Sequence, residues 1–220
     1  MSSFQLTLFE SIANFVLRLS PVKSCVVGEY ITAVDCGLVN IYLYQRDGKT
    51  IVFDTGYSQR STRQALSAVG VDPDSVSHVF LSHADFDHAG GIPVFSKACF
   101  LFSQAERRRP IRQSKHFRLV QTRFHCRMLR DMETVDIGDI QIKAIHTPGH
   151  TGGSMAYLVD GKFLFSGDTL SIKRGKARTN HLFLTSAKML RCSADKLIKL
   201  AGSEKIELLL TAHWGVADFS

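Results

Sequence analysis

The five cysteines of this 220-residue chain, Cys25, Cys36, Cys99, Cys126 and Cys192, are scattered, odd in number and never in a C-x-x-C spacing. That argues against a disulfide framework and against a cysteine-only zinc cage, and it fits a reducing compartment, so a cytoplasmic location is expected. No basic stretch precedes the apolar run from Met1 to Leu19, and Glu10, Asn14 and Arg18 interrupt that run, so neither a signal peptide nor a transmembrane segment is expected. Low-complexity sequence is lacking too. With 45% hydrophobic and 21% charged residues, the composition is that of a globular protein, and the length fits one domain over residues 1–220.

Acidic residues are missing from one long segment. Arg107 to Arg130 holds nine Lys or Arg and no Asp or Glu, which leaves 18 basic against 20 acidic residues elsewhere, so the net charge of +7 belongs to that segment. Phe117, Val120, Phe124 and Met128 fall at helical spacing while Arg123, Arg127 and Arg130 share another face, which predicts a basic helical insertion around residues 104–130. Such cations are either a solvated helix face or a rim that draws in an anionic small molecule. Lys173, Arg174, Lys176 and Arg178 form a second basic group. Nucleic acid is the less favoured partner, because no recognised binding module is present and the aromatic interleaving is modest. Nothing in the sequence speaks to the oligomeric state.

Several elements can be read directly. Phe4, Leu8, Ile12, Phe15 and Leu19 predict an N-terminal amphipathic helix, whose apolar face is expected to pack against the domain in preference to a membrane or dimer contact. Val39 to Leu43 and Thr50 to Phe53 are β-rich runs around the turn pair Asp47-Gly48, and Met155 to Val159 and Lys162 to Phe165 repeat the pattern around Asp160-Gly161. Helices are predicted from Ser61 to Val69, ending at Gly70, and from Ser193 to Ala201. Further strands are predicted from Val76 to Leu81, Ile140 to Ile145 and Ile206 to Leu210. Strands and helices in this mixture make an α/β chain.

Polar clusters follow four of the strands: Ser82-His83-Ala84-Asp85-Phe86-Asp87-His88, Thr147-Pro148-Gly149-His150-Thr151, Ser166-Gly167-Asp168-Thr169 and Thr211-Ala212-His213-Trp214. One histidine in such a place is ordinarily structural. Four strand ends that each carry a His or Asp in a glycine-rich turn point to a shared site, and imidazole with carboxylate but no cysteine suits a reactive zinc, iron or manganese centre.

At these residues the sequence resembles the metallo-β-lactamase superfamily over nearly its whole length. The family motif H-x-H-x-D-H stands here as His83-Ala84-Asp85-Phe86-Asp87-His88, with aspartate at its second ligand position. The resemblance implies a four-layer αββα sandwich and two transition-metal ions, zinc being the first choice. One metal would be held by His83, Asp85 and His150 and the other by Asp87, His88 and His213, with Asp168 bridging and Asp54 supporting a ligand. Asp87, His88 and Asp168 would carry the chemistry: a water or hydroxide between the metals attacks an ester, lactone, thioester or phosphodiester, with no serine or cysteine nucleophile. Asp85 keeps iron or manganese open, because two histidines and one carboxylate are a non-haem iron set, and flavodiiron proteins in the same superfamily carry glutamate there. A redox enzyme handling oxygen, nitric oxide or a persulfide is therefore the alternative, and a non-catalytic metal-binding protein is a third. The chain stops too soon after His213 for a flavodoxin-like domain, or for the helical domain with which glyoxalase II binds glutathione thioesters, so both are disfavoured.

Overall fold

The computed structural model describes residues 3–106, 115–182, 184–203 and 205–219. Helix α1 (Ser3–Leu17) leads into seven strands of one sheet: β1 (Cys25–Gly28), β2 (Ile31–Asp35), β3 (Asn40–Arg46), β4 (Lys49–Phe53), β5 (Val76–Phe80), β6 (Cys99–Ser103) and β7 (Cys126–Leu129). Between them run α2 (Gln59–Ala68), the single turn α3 (Phe86–Ala89) and α4 (Lys115–Arg123). The second sheet holds β8 (Thr134–Ile137), β9 (Ile140–His146), β10 (Met155–Val159), β11 (Phe163–Phe165), β14 (Leu208–Leu210) and β15 (Val216–Asp218). A small hairpin, β12 (Leu170–Lys173) and β13 (Lys176–Thr179), and helix α5 (Ala187–Ser203) lie outside it.

Both faces of the central strands are buried, which is why they read as continuous apolar runs and not as alternating ones. Ile51 and Phe53 face the space between the sheets with Phe80, Tyr157 and Phe165, and the Phe53 and Phe165 rings stack across it at 3.8 Å between centroids. Val52, Val79 and Leu81 face the other way onto Leu66 of α2 and onto Phe117 and Val120 of α4. On the far side, Ala156, Leu158 and Leu164 meet Ala194 and Leu197 of α5. The result is the expected αββα order. Burying one such side chain contributes roughly 1.5–3 kcal/mol, so the three apolar layers hold the loops at the strand ends in place.

Three expectations need correction. The helix over the basic segment ends at Arg123: the Phe100 amide donates to the His125 carbonyl, and Cys126–Leu129 becomes a parallel edge strand on β6. Pairing satisfies the β6 backbone, whereas a longer helix would have left it open. Met128 is thus exposed on a strand instead of lying on an apolar helix face. Arg107, Arg108, Arg109 and Arg112 lie outside the described residues. Second, α1 forms, but Leu8, Ile12 and Phe15 are exposed, Phe15 by 86%. It docks through polar contacts, Tyr57 Oη to Glu10 Oε1 at 2.5 Å and Asn14 Nδ2 to the Gly37 carbonyl at 2.9 Å. Third, α5 begins six residues before Ser193, where the Ser186 hydroxyl accepts the Met189 amide at 3.3 Å. Among the described residues no helix is long and apolar enough to cross a membrane, and the five cysteines are free thiols.

Candidate metal centre

The loops after β5, β9, β11 and β14 meet at one edge of the sandwich. Tyr157 Oη donates to the Leu81 carbonyl at 2.7 Å and the Met155 amide to the Ser82 carbonyl at 2.8 Å, so the two sheets are tied together where the first loop begins. Gly90 and Gly91 let this loop lie flat on the one after β4: a Cβ on Gly91 would fall 1.9 Å from the Thr55 carbonyl oxygen.

Four imidazoles enter the site in the same way, each with Nδ1 engaged behind it and Nε2 directed inward. Nδ1 of His88 lies 2.8 Å from Asp54 Oδ2, that of His213 2.7 Å from the Leu38 carbonyl, that of His150 3.1 Å from the Leu182 carbonyl and that of His83 3.0 Å from Ser82 Oγ. Anchoring one nitrogen fixes the tautomer and leaves the other free to bind a metal. Asp54 sits at φ 61°, in the left-handed region, and is buried. Its carboxylate also accepts the Ser82 amide at 2.8 Å and the Ser82 hydroxyl at 2.7 Å. These bonds hold a backbone geometry that would otherwise cost of order 1–2 kcal/mol.

The inward donors fall in three overlapping sets, His83–Asp85–His150, Asp87–His88–His213 and, across the two, His83–His88–Asp168. Asp85 Oδ2 lies 3.5 Å from His150 Nε2 and 3.9 Å from His83 Nε2. Asp87 Oδ2 lies 3.4 Å from His213 Nε2 and 3.8 Å from His88 Nε2. Asp168 stands between them, with Oδ1 3.5 Å from His88 Nε2 and 3.4 Å from His213 Nε2, and Oδ2 3.4 Å from His150 Nε2. Ligand bonds of about 2.0–2.2 Å at the tetrahedral angle separate two donors by about 3.3–3.6 Å; the spacings of 3.4 and 3.5 Å meet this, and the 3.8 and 3.9 Å pairs exceed it by a few tenths of an ångström. Buried His83 Nε2 and Asp168 Oδ1 have no hydrogen-bond partner, as expected of atoms placed for a metal.

Electrostatics agree with the geometry. Burial, helped by His88 and His150, pushes His83 well below the ordinary imidazole pKa. Burial acts the same way on His88, but Asp168, Asp54 and Asp87 outweigh it and raise His88 well above its usual value. His213 is likewise raised, to about 10, because Asp168 and Asp87 overcome its burial. Asp168 is held well below the carboxylate range despite burial, by His213, His88 and His150. The carboxylates thus call for positive charge at the two places where cations would sit.

The site opens into a cleft of ≈ 190 Å³, walled mainly by Leu17, Leu19, Leu38, Phe86, Leu182 and Trp214, with Asp85, Asp87, Asp168, His150 and His213 at its base. No lysine or arginine lines it among the described residues. Arg123, Arg127, Arg130, Lys173 and Arg174 lie elsewhere. Phe117 packs on Phe102 and Phe124 on Phe100, so α4 runs antiparallel to β6 and carries Arg123 to the end of the strand away from the site. Arg127 pairs with Glu133 at 2.6 Å, and the Arg130 amide donates to the same carboxylate. Lys173 and Arg174 occupy the tip of the β12–β13 hairpin. Two supporting residues escaped the sequence reading, Ser82 and Glu106. The latter stands three residues past the end of β6, and the strand-end logic applied to His and Asp would have found it.

The sequence profile of the metallo-beta-lactamase superfamily matches residues 34–101. Acyl-coenzyme A thioesterase MBLAC2 of Gallus gallus is 26% identical over 205 residues, covering 80% of this chain and 73% of that one. The Homo sapiens counterpart is 27% identical, and the match spans only 58% of its length. A B3 metallo-beta-lactamase described as having an active-site glutamic acid superposes with a TM-score of 0.68 at 18% identity, covering 96% of this chain and 88% of that one. A quorum-quenching N-acyl homoserine lactone lactonase gives a TM-score of 0.64 at 18% identity over 80% of each chain. The order of the motifs and these relatives point the same way: the chain resembles the metallo-β-lactamase superfamily in sequence, with the profile match confined to residues 34–101, and shares its fold over nearly the whole length.

Proposed function

We propose that this chain is a two-metal hydrolase that cleaves a thioester, ester or lactone whose acyl part is apolar. The observation that carries this reading is the convergence of four Nε2 atoms, each with its Nδ1 anchored, on Asp85, Asp87 and Asp168 at 3.4–3.9 Å. His83, Asp85 and His150 would hold one metal, Asp87, His88 and His213 the other, and Asp168 would join them. When bound, such ions supply Lewis acidity and a water nucleophile usable at neutral pH. The chain's own residues do the rest. Asp54 and the Leu38 and Leu182 carbonyls keep the imidazoles oriented, while Leu17, Leu19, Phe86, Leu182 and Trp214 take the acyl group and exclude water beside the reacting carbonyl.

The relatives named a thioesterase and a lactonase support a carbonyl substrate. A phosphodiester, with its fixed negative charge, is less suited to a cleft that no lysine or arginine lines among the described residues. Zinc is the first choice of metal. The carboxylate of Asp85 beside His83 and His150 favours one second reading, non-haem iron with redox chemistry. The five free thiols suit a reducing, cytoplasmic setting.

The test is a series of straight-chain acyl thioesters and lactones assayed on zinc-, iron- and manganese-loaded protein. Each methylene buried in the cleft is worth about 0.8 kcal/mol, so kcat/KM should rise about fourfold per carbon until the cleft is full. Hydrolysis of none of them with any metal refutes the proposal. A rate that is flat with chain length refutes the acyl cleft.

A further inference from the structure

Glu106 is a buried carboxylate in the turn after β6. Its Oε1 accepts the Ala84 amide at 3.0 Å, and its Oε2 accepts the Gly153 amide at 3.1 Å and the Thr151 hydroxyl at 2.8 Å. Ala84 lies between His83 and Asp85, and Thr151 follows His150 directly. One side chain therefore holds a residue next to each of the three donors of the first metal group. The loop is built around this contact, since a Cβ on Gly153 would fall 2.3 Å from the Glu106 amide nitrogen and 2.6 Å from Oε2.

The second group is held by other means. His88 rests on Asp54 and His213 on the Leu38 carbonyl, and neither contact involves Glu106.

We infer that Glu106 is the positioning residue of the His83–Asp85–His150 metal, as Asp54 is of His88 in the other group. Asp54 reaches His88 directly and His83 through the Ser82 hydroxyl, whereas Glu106 touches only the first group, so a change at Glu106 acts on the first metal alone. Glu106 acts at one remove. It orients two loops through three hydrogen bonds, and loosening them lets Asp85 and His150 drift from the spacing that a metal needs. The inference rests on the two-metal reading above.

Glu106→Gln is the sharpest variant, because Ala84 and Gly153 present N–H donors to opposite oxygens and an amide offers an acceptor to only one of them. Zinc binding is titrated against a chromophoric chelator in two backgrounds, with thermal unfolding as the check on folding. In His213→Ala, which keeps the first group, Glu106→Gln should weaken the remaining zinc by about 10–100-fold. In His150→Ala, which keeps the second group, the same change should alter the remaining affinity by less than about threefold, the additivity expected of separate sites. Equal weakening in both backgrounds would overturn the inference by making Glu106 a general support of the fold, and so would no weakening in the first. Should Glu106→Gln not fold, Thr151→Val and Thr151→Ser remove and keep one of the three bonds, and only the valine variant should reproduce the asymmetry; matching affinities in both overturn the inference. An unsubstituted chain that takes up no zinc overturns the two-metal reading itself, whereas two-zinc uptake without the asymmetry overturns only the role of Glu106.

Discussion

Replacing Asp54 with asparagine changes one oxygen for an NH2 group and little else. Asparagine tolerates the φ of 61° as well as aspartate does, so the backbone is not further strained. The Ser82 amide, 2.8 Å from Oδ1, requires an oxygen there, which forces the new NH2 group to the place of Oδ2, 2.8 Å from His88 Nδ1. Two outcomes are then open to the imidazole: two N–H groups facing each other, or a proton moved to Nε2, where it blocks metal binding. Loss of such an orienting partner typically costs 10–100-fold in metal affinity, or about 1.4–2.8 kcal/mol. The assay is zinc titration of Asp54→Asn with activity followed in parallel. The expected result is one weakened zinc equivalent and lower kcat at unchanged fold stability. Asp54→Ala should do worse and also destabilise the fold, since it leaves the buried Ser82 amide without its acceptor at a cost of about 1–3 kcal/mol. An asparagine variant that binds both metals within about twofold of the unsubstituted chain would refute the orienting role given to Asp54.

His88→Ala and His150→Ala should each remove metal and activity together, and full metal content in both, measured by elemental analysis, would show the ligands to be misassigned. Asp85→His should shift preference toward zinc and away from iron and manganese, read by competition among equal concentrations of the three; an unaltered preference would place Asp85 outside the coordination sphere. Neutralising Arg123, Arg127 and Arg130 together should leave KM unchanged, whereas Leu182→Ala and Trp214→Ala should raise KM for a long-chain substrate by roughly tenfold; the reverse pattern would restore an electropositive rim. Asp131 has its pKa lowered, because the His146 amide and Lys196 outweigh its partial burial. Its contribution should therefore be present above the normal carboxylate pKa and lost as pH falls through its lowered value, amounting to under about 1 kcal/mol because Lys196 and Asp131 are largely solvated. Equal acid sensitivity of Asp131→Asn and the unsubstituted chain, followed by thermal melts, would show that pair to be inert.

Much of the candidate site is legible in the sequence because its parts are local. An apolar strand followed by a glycine-rich turn with His or Asp announces a ligand at a strand end, and the order of the motifs names the family. Both paired turns, Asp47-Gly48 and Asp160-Gly161, adopt the positive φ that such hairpins require. What the sequence could not determine depends on which residues meet. Phe117, Val120, Phe124 and Met128 keep helical spacing past the end of α4, but the open edge of β6 recruits Cys126–Leu129 as a strand, because backbone pairing outweighs side-chain periodicity there. The apolar residues of α1 suggested a packed face, yet Glu10 and Asn14 dock the helix and turn Phe15 outward. Arg123, Arg127 and Arg130, which seemed by sequence order to border the site, are carried away from it by the direction of α4 and by Glu133, and apolar side chains from distant segments line the cleft among the described residues. Glu106 shows the division most plainly. In sequence it is a lone acid before a basic run, and only the packing of β6 between the loops of His83 and His150 makes it the acceptor for both, since three hydrogen bonds to one carboxylate need three remote segments brought together.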